Sequence, residues 1–140
     1  MTSPLDNLTG TGRPLVVEPP DADELAGLKR GRLARLKDAG NSSNSTEGRF
    51  DLAYNAAHAL CLAALRWHGY RPRNRYIVFQ ALPHTLGLGP EVWRVLAKCH
   101  DMRNRSEYEG EIDIDERLLS DLITACRAVA AALERLPAPG

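Results

Sequence analysis

A chain of 140 residues suits one domain with an adequate core and leaves little room for a second. Lys plus Arg and Asp plus Glu stand at 18 each, so net charge points neither to nucleic acid nor to a membrane. Three widely spaced cysteines, Cys61, Cys99 and Cys126, each inside an apolar run, suit buried thiols of a reducing cytoplasm and argue against a disulfide framework.

The charge is unevenly spread. Lys29 to Lys37, Arg66 to Arg75 and Arg94 to Arg105 are locally basic, whereas Glu107 to Asp121 is acidic. A neutral protein can thus carry a basic face, although charge runs are most often solvated helix faces. The N-terminus lacks an apolar signal core and no apolar run approaches the length of a bilayer span. A soluble, cytoplasmic protein without membrane contacts is expected. The glycosylation-type matches at Asn7, Asn41 and Asn44 are then coincidental.

Residues 1–20 carry Pro4, Gly10, Gly12, Pro14, Pro19 and Pro20 with little periodicity. They predict a flexible or extended arm outside the core, with Leu15-Val16-Val17 able to dock onto a neighbouring groove. A single helical domain over 21–136 and a tail at 137–140 complete the chain. Asp21 or Asp23 can cap a helix to about Ala39, built on Leu25, Leu28, Leu33 and Leu36, weakened by Gly27 and Gly31 and ended by Gly40. Asn41 to Thr46 is a polar loop. Phe50 to Trp67 is apolar almost all round, which predicts a central helix enclosed by others. Its polar residues Asn55 and His58 lie one turn apart and need partners if buried. Gly69 and Pro72 end it.

Tyr76 to Leu82 has strand-like residues but no evident pairing strand nearby, so a short helix ended by Pro83 is predicted. Gly87 and Gly89 make a turn, and Pro90 opens a helix to about Tyr108. Gly110 to Ile114 is a connector. Asp113 or Asp115 then caps a last helix with the stripe Leu119, Leu122, Ile123, Cys126, Val129, Ala130 and Leu133, stopped by Pro137. The sum is all-α: an antiparallel bundle of four to five helices.

The helix from Pro90 carries the most informative pattern. Val92, Leu96 and Cys99 form an apolar stripe whose continuation is His100, Arg103 and Glu107, with Asn104 and Tyr108 beside it. Arg and Glu are rarely buried unless paired, so this stripe predicts a polar pocket, cleft or subunit interface. The plain alternative is a helix end fraying into solvent with ion pairs such as Arg103 to Glu107. Asn55 and His58 are candidates to meet Arg103 across the helix interface. Other chemistry is poorly supported. His58 and Cys61 alone are too few for a metal site, so none is predicted. Gly87-Leu88-Gly89 lacks the spacing of a phosphate loop, and no Gly-x-Ser-x-Gly elbow occurs. Cys99 and His100 are adjacent, so on a helix they point about 100° apart and cannot pair. No cofactor is implied.

From about Arg49 to Leu136 the chain resembles the HEPN domains, small helical bundles of prokaryotic toxin–antitoxin, defence and RNA-processing systems. The resemblance rests on Asp51-Leu52-Ala53-Tyr54-Asn55-Ala56-Ala57-His58-Ala59-Leu60 and on Arg103-Asn104-Arg105-Ser106-Glu107-Tyr108. It implies a homodimer whose two motifs face one cleft, where RNA is cut without metal by an Arg and a later His with four to six residues between them. Arg103 and Asn104 match, but Tyr108, Glu109 and Gly110 occupy the places allowed for the His. A Glu-Tyr or Asp-Tyr ending is similar to a branch that lacks the catalytic His.

The resemblance therefore implies a module that binds RNA, a nucleotide or a protein partner without the usual catalysis. Arg103 would hold a phosphate or an acidic group, Asn104 would position it, and Tyr108 would offer a stacking face and a hydroxyl. Arg105 would add charge at the rim, with Glu107, Asn55, His58 and His100 around the cleft. The alternative is a metal-independent ribonuclease with Arg103, Asn104 and Tyr108 as catalytic residues. Arg103 would stabilise charge on phosphorus, while Glu107, Tyr108 or His100 from across a dimer moved protons. A third possibility is a cluster that merely fixes the register of the dimer. An antitoxin or a nucleotidyltransferase modifying Tyr108 is a partner suggested by the resemblance alone.

Overall fold

The computed structural model describes residues 4–109 and 114–137, with backbone only for 106–109. The expected connector at Gly110 to Ile114 except for Ile114 itself, the alternative cap Asp113, the side chains of Glu107 and Tyr108, and residues 138–140 lie outside the described residues. The described chain is mostly helical, with one small sheet.

Local chemistry accounts for most element boundaries. Helix α1 (Ala22–Ala39) starts where the Asp21 carboxylate accepts from the backbone N–H groups of Asp23 and Glu24. Helix α2 (Thr46–Trp67) starts at Ser45, whose hydroxyl accepts from the Gly48 N–H. Helix α5 (Pro90–Glu109) opens on its proline, and α6 (Glu116–Glu134) on Asp115, whose carboxylate accepts from the Leu118 N–H. The central position expected for α2 is observed. It packs against α1, α5 and α6 and against two short helices, α3 (Ile77–Gln80) and α4 (Leu82–Thr85). Ala53, Ala56, Ala57, Ala59, Ala63 and Ala64 are all buried, and their small side chains leave room for close neighbours.

Pro83 does not end the short helix as expected. It sits in the first turn of α4, where a missing N–H leaves no hydrogen bond unmade.

The larger correction concerns residues 1–20. Far from standing off as an arm, the described part is built into the core: Leu5 and Leu15 are 1% and 0% exposed. Burying each contributes up to about 1.5–3 kcal/mol. Leu15–Val17 forms strand β1, antiparallel to β2 (Tyr70–Pro72) in the register Leu15↔Pro72, Val16↔Arg71, Val17↔Tyr70. Gly69, at φ +91, makes the turn from α2 into β2 that a side chain would strain.

What draws the segment in is Arg66, in the last turn of α2 and 1% exposed. Its Nε donates to Glu24 Oε1 at 2.6 Å, Nη1 to the Glu18 carbonyl at 2.8 Å, and Nη2 to the Pro19 carbonyl at 2.7 Å. Arg71 grips the same two acids, with Nε 2.6 Å from Glu18 Oε2 and Nη2 2.9 Å from Glu24 Oε2. These bonds hold the Glu24 carboxyl below the usual carboxylate range, Arg71 contributing most and Arg66 next, against a smaller opposing effect of burial.

The three cysteines are free and buried. Among the described residues no helix is long and apolar enough to cross a membrane.

Replacing Arg66 by Met removes the donors to the Glu18, Pro19 and Tyr70 carbonyls and leaves Glu18 and Glu24 to Arg71 alone, and the expected loss is about 3 kcal/mol of unfolding free energy in urea. Limited proteolysis of this variant should cut first before residue 20. Equal protease resistance in the two proteins would show that Arg66 does not hold the segment.

Candidate functional site

Helical periodicity aligns two polar rows. On α2, Asp51, Tyr54, Asn55 and His58 fall at i, i+3, i+4 and i+7; on α5, His100, Arg103 and Asn104 fall at i, i+3 and i+4. Between them the loop after β2 contributes Arg73, Asn74 and Arg75.

Tyr54 is the floor. It is 1% exposed, its ring stacked 6.4 Å from Phe50 and tilted 6.1 Å from Phe79. Its hydroxyl lies 2.9 Å from His100 Nδ1, and His100 Nε2 lies 3.1 Å from Asn104 Nδ2. With the Asn104 amide assigned this way its nitrogen donates to Nε2, so the ring proton sits on Nδ1 and is donated to the Tyr54 oxygen. The His100 ring is further enclosed by Tyr76 at 5.3 Å and Phe79 at 5.9 Å.

Arg103 lies over this floor, its guanidinium carbon 5.4 Å from the centre of the Tyr54 ring, and is ion-paired with Asp51. The resulting hollow, about 280 Å³, is lined by Tyr54, Asn55, Arg75, Arg103 and Asn104. Arg75 is also the end wall of a second hollow of about 280 Å³, lined by His58, Leu62, Arg71, Pro72, Arg73, Asn74 and Arg75.

No family model, curated protein or solved structure matches the chain. The chemistry of the site therefore carries the functional argument.

The stripe of α5 behaves as its pattern predicts as far as it is described. Val92, Leu96, Cys99 and His100 are buried, and the Arg103 side chain is 28% exposed. Arg103, Asn104 and Asn55 share the first hollow, with His100 behind it. His58 does not join them: it lies one turn further along α2 and lines the second hollow. Arg105 is exposed. Glu107 and Tyr108 fall among the side chains that are not described. Arg103 is paired with Asp51 on another helix, a partner not anticipated from the i,i+4 spacing to Glu107.

Three residues escaped the sequence reading. Tyr54 and Asp51 were hidden in a helix read as apolar, although their spacing to Asn55 and His58 marks the same face. Arg75 belongs to the basic run Arg71-Pro72-Arg73-Asn74-Arg75, which was noted as charge without being placed at the site.

Both histidines are disfavoured as cations. Burial first, then Arg75, His100 and Arg32, push His58 down to about 4. His100 is lowered by burial and by Arg75, against an opposing pull from Asp101. The Tyr54 hydroxyl is raised by burial, which outweighs the opposing pull of Arg75. Burial also pushes Cys99 and Cys126 up to about 12 and raises Cys61, so none supplies a thiolate at neutral pH. Among the described residues no three His, Cys, Asp or Glu side chains are grouped to hold a metal. The positive charge at the hollows therefore comes from guanidinium groups.

A pH dependence follows. The unfolded chain binds a proton at His58 near the ordinary histidine value, whereas the folded chain resists until about pH 4. Stability from this group is thus complete above about pH 6.5 and falls as pH drops toward 4. Urea midpoints of the wild type should decline through that window, and those of His58→Gln should decline less. Parallel curves would remove His58 as the cause.

Proposed function

We propose that this chain is a HEPN-like helical bundle, acting as a homodimer, that binds a phosphate-bearing ligand, RNA or a nucleotide, without the Arg–His catalysis of that family. The observation that carries this reading is the convergence of two arginines, Arg75 and Arg103, and two amides, Asn55 and Asn104, on one hollow. Guanidinium groups match phosphate oxygens in charge and in bidentate geometry, and the amides add neutral hydrogen bonds. Arg103 is held over an aromatic floor by Asp51, which leaves it ordered before a ligand arrives. A polar hollow at the end of an otherwise apolar helix stripe also suits a site completed at a two-fold axis.

One observation favours the ribonuclease alternative. His100 is hydrogen-bonded to Tyr54 and Asn104 in the same protomer as Arg103, so an imidazole stands behind the hollow. Its burial and its two occupied nitrogens support a positioning role for Tyr54 and Asn104 over direct proton transfer to a ligand.

Labelled single-stranded RNA, followed by fluorescence anisotropy across a salt series, tests the reading. Arg103→Ala should weaken binding about tenfold and lower the salt slope by about one. Its unfolding free energy should change by less than about 1 kcal/mol, since the Asp51 pair is open to solvent on the carboxylate side. Asp51→Asn keeps an amide oxygen to hold Arg103 in place and removes only the charge that competes with a phosphate, so binding should tighten about two- to fivefold. Incubation of the wild type with RNA in chelator should leave the RNA intact. Cleavage that disappears in Arg103→Ala would favour the ribonuclease, and unchanged RNA binding in that variant would overturn the proposal.

A further inference from the structure

We propose that the two hollows are two halves of one nucleotide site, with the phosphate against Arg75 and Arg103 and the attached ribose and base in the neighbouring hollow of His58, Leu62 and Pro72. This deepens the phosphate-binding reading above and rests on it.

The linings differ in kind. All five residues of the first hollow carry polar groups, and four of them end in a guanidinium or an amide, which suits an anion and offers little to an apolar ring. The second adds the aliphatic side chain of Leu62, the ring of Pro72 and the imidazole of His58, with Arg73 and Asn74 among the residues around them. Flat and aliphatic surfaces beside hydrogen-bonding groups are what a stacked base requires. The hollows meet at Arg75, which lines both, so a phosphate held there has its sugar directed toward either side.

The charges agree with this division. Arg71 is engaged by Glu18 and Glu24, which leaves Arg73 and Arg75 as arginines with no ion pair among the described residues. The titratable groups that act on His58, Arg75, His100 and Arg32, are all basic and none is an acid, so its ring stays neutral at pH 7 and presents an uncharged face. That ring is braced edge-on by Phe79 at 6.1 Å.

Competition against labelled RNA on the full chain tests the assignment, with ribose 5-phosphate, the four 5′-mononucleotides and a 5′-phosphorylated dinucleotide as competitors. The best mononucleotide should bind at least about fivefold more tightly than ribose 5-phosphate. His58→Ala, and separately the exposed-site variant Arg73→Ala, should erase most of that advantage while leaving ribose 5-phosphate unchanged. Arg103→Ala should weaken both competitors alike. Further gain with the dinucleotide identifies RNA as the source of the nucleotide, and no gain identifies a free nucleotide; both agree with the site. Equal affinity of ribose 5-phosphate and every mononucleotide would overturn the inference and leave the phosphate reading standing. Failure of every competitor and of RNA to bind would overturn both.

Discussion

One buried guanidinium organises this molecule. Arg66 ends the longest apolar run of the chain inside the protein, and an arginine there is tolerable when its donors are matched. The matching groups are two backbone carbonyls and two carboxylates from residues 18–24, together with the Tyr70 carbonyl beyond the helix. The first strand, the start of α1 and the turn into β2 are consequently fastened to a single side chain. Neighbouring Arg71 binds the same carboxylates, so each acid serves two cations.

That arrangement positions the site as well as the fold. The loop bearing Arg73 and Arg75 leaves directly from β2, whose register against β1 is set next to Arg66. Helix α2 carries Arg66 at one end and, further back, the face with Asp51, Tyr54, Asn55 and His58. The two hollows thus share a foundation with the N-terminal segment, although no described residue before α1 lines either of them. The HEPN-like reading concerns the α2–α5 pair, and the base-binding half depends on the loop.

Much of this was legible because it is local. The Asp21 cap, the enclosed α2, the proline start of α5 and the stripe of α6 each follow from spacing within one segment. So does the handover in α5 from Leu96 and Cys99 to His100 and Arg103. What could not be read depends on partners distant in the chain. Strands of three residues give almost no periodic signal, and Leu15 finds its partner at Pro72. Arg66 reads only as the start of a basic run, because nothing near it in sequence announces the carbonyls it meets. Tyr54 passed for core, which it is, yet its hydroxyl and ring face also support the first hollow. Pro83 misleads because a proline reads the same at the end of one helix and the start of another.

The pairing of β1 with β2 also bears on the order of assembly. During synthesis residues 15–17 emerge well before residues 70–72, so the leading strand has no partner until α2 has left the ribosome. Contacts so far apart in sequence close late. Until then Leu5, Leu15, Val16 and Val17 are unpartnered apolar side chains on the nascent chain, the kind of exposed surface that makes folding intermediates prone to aggregate.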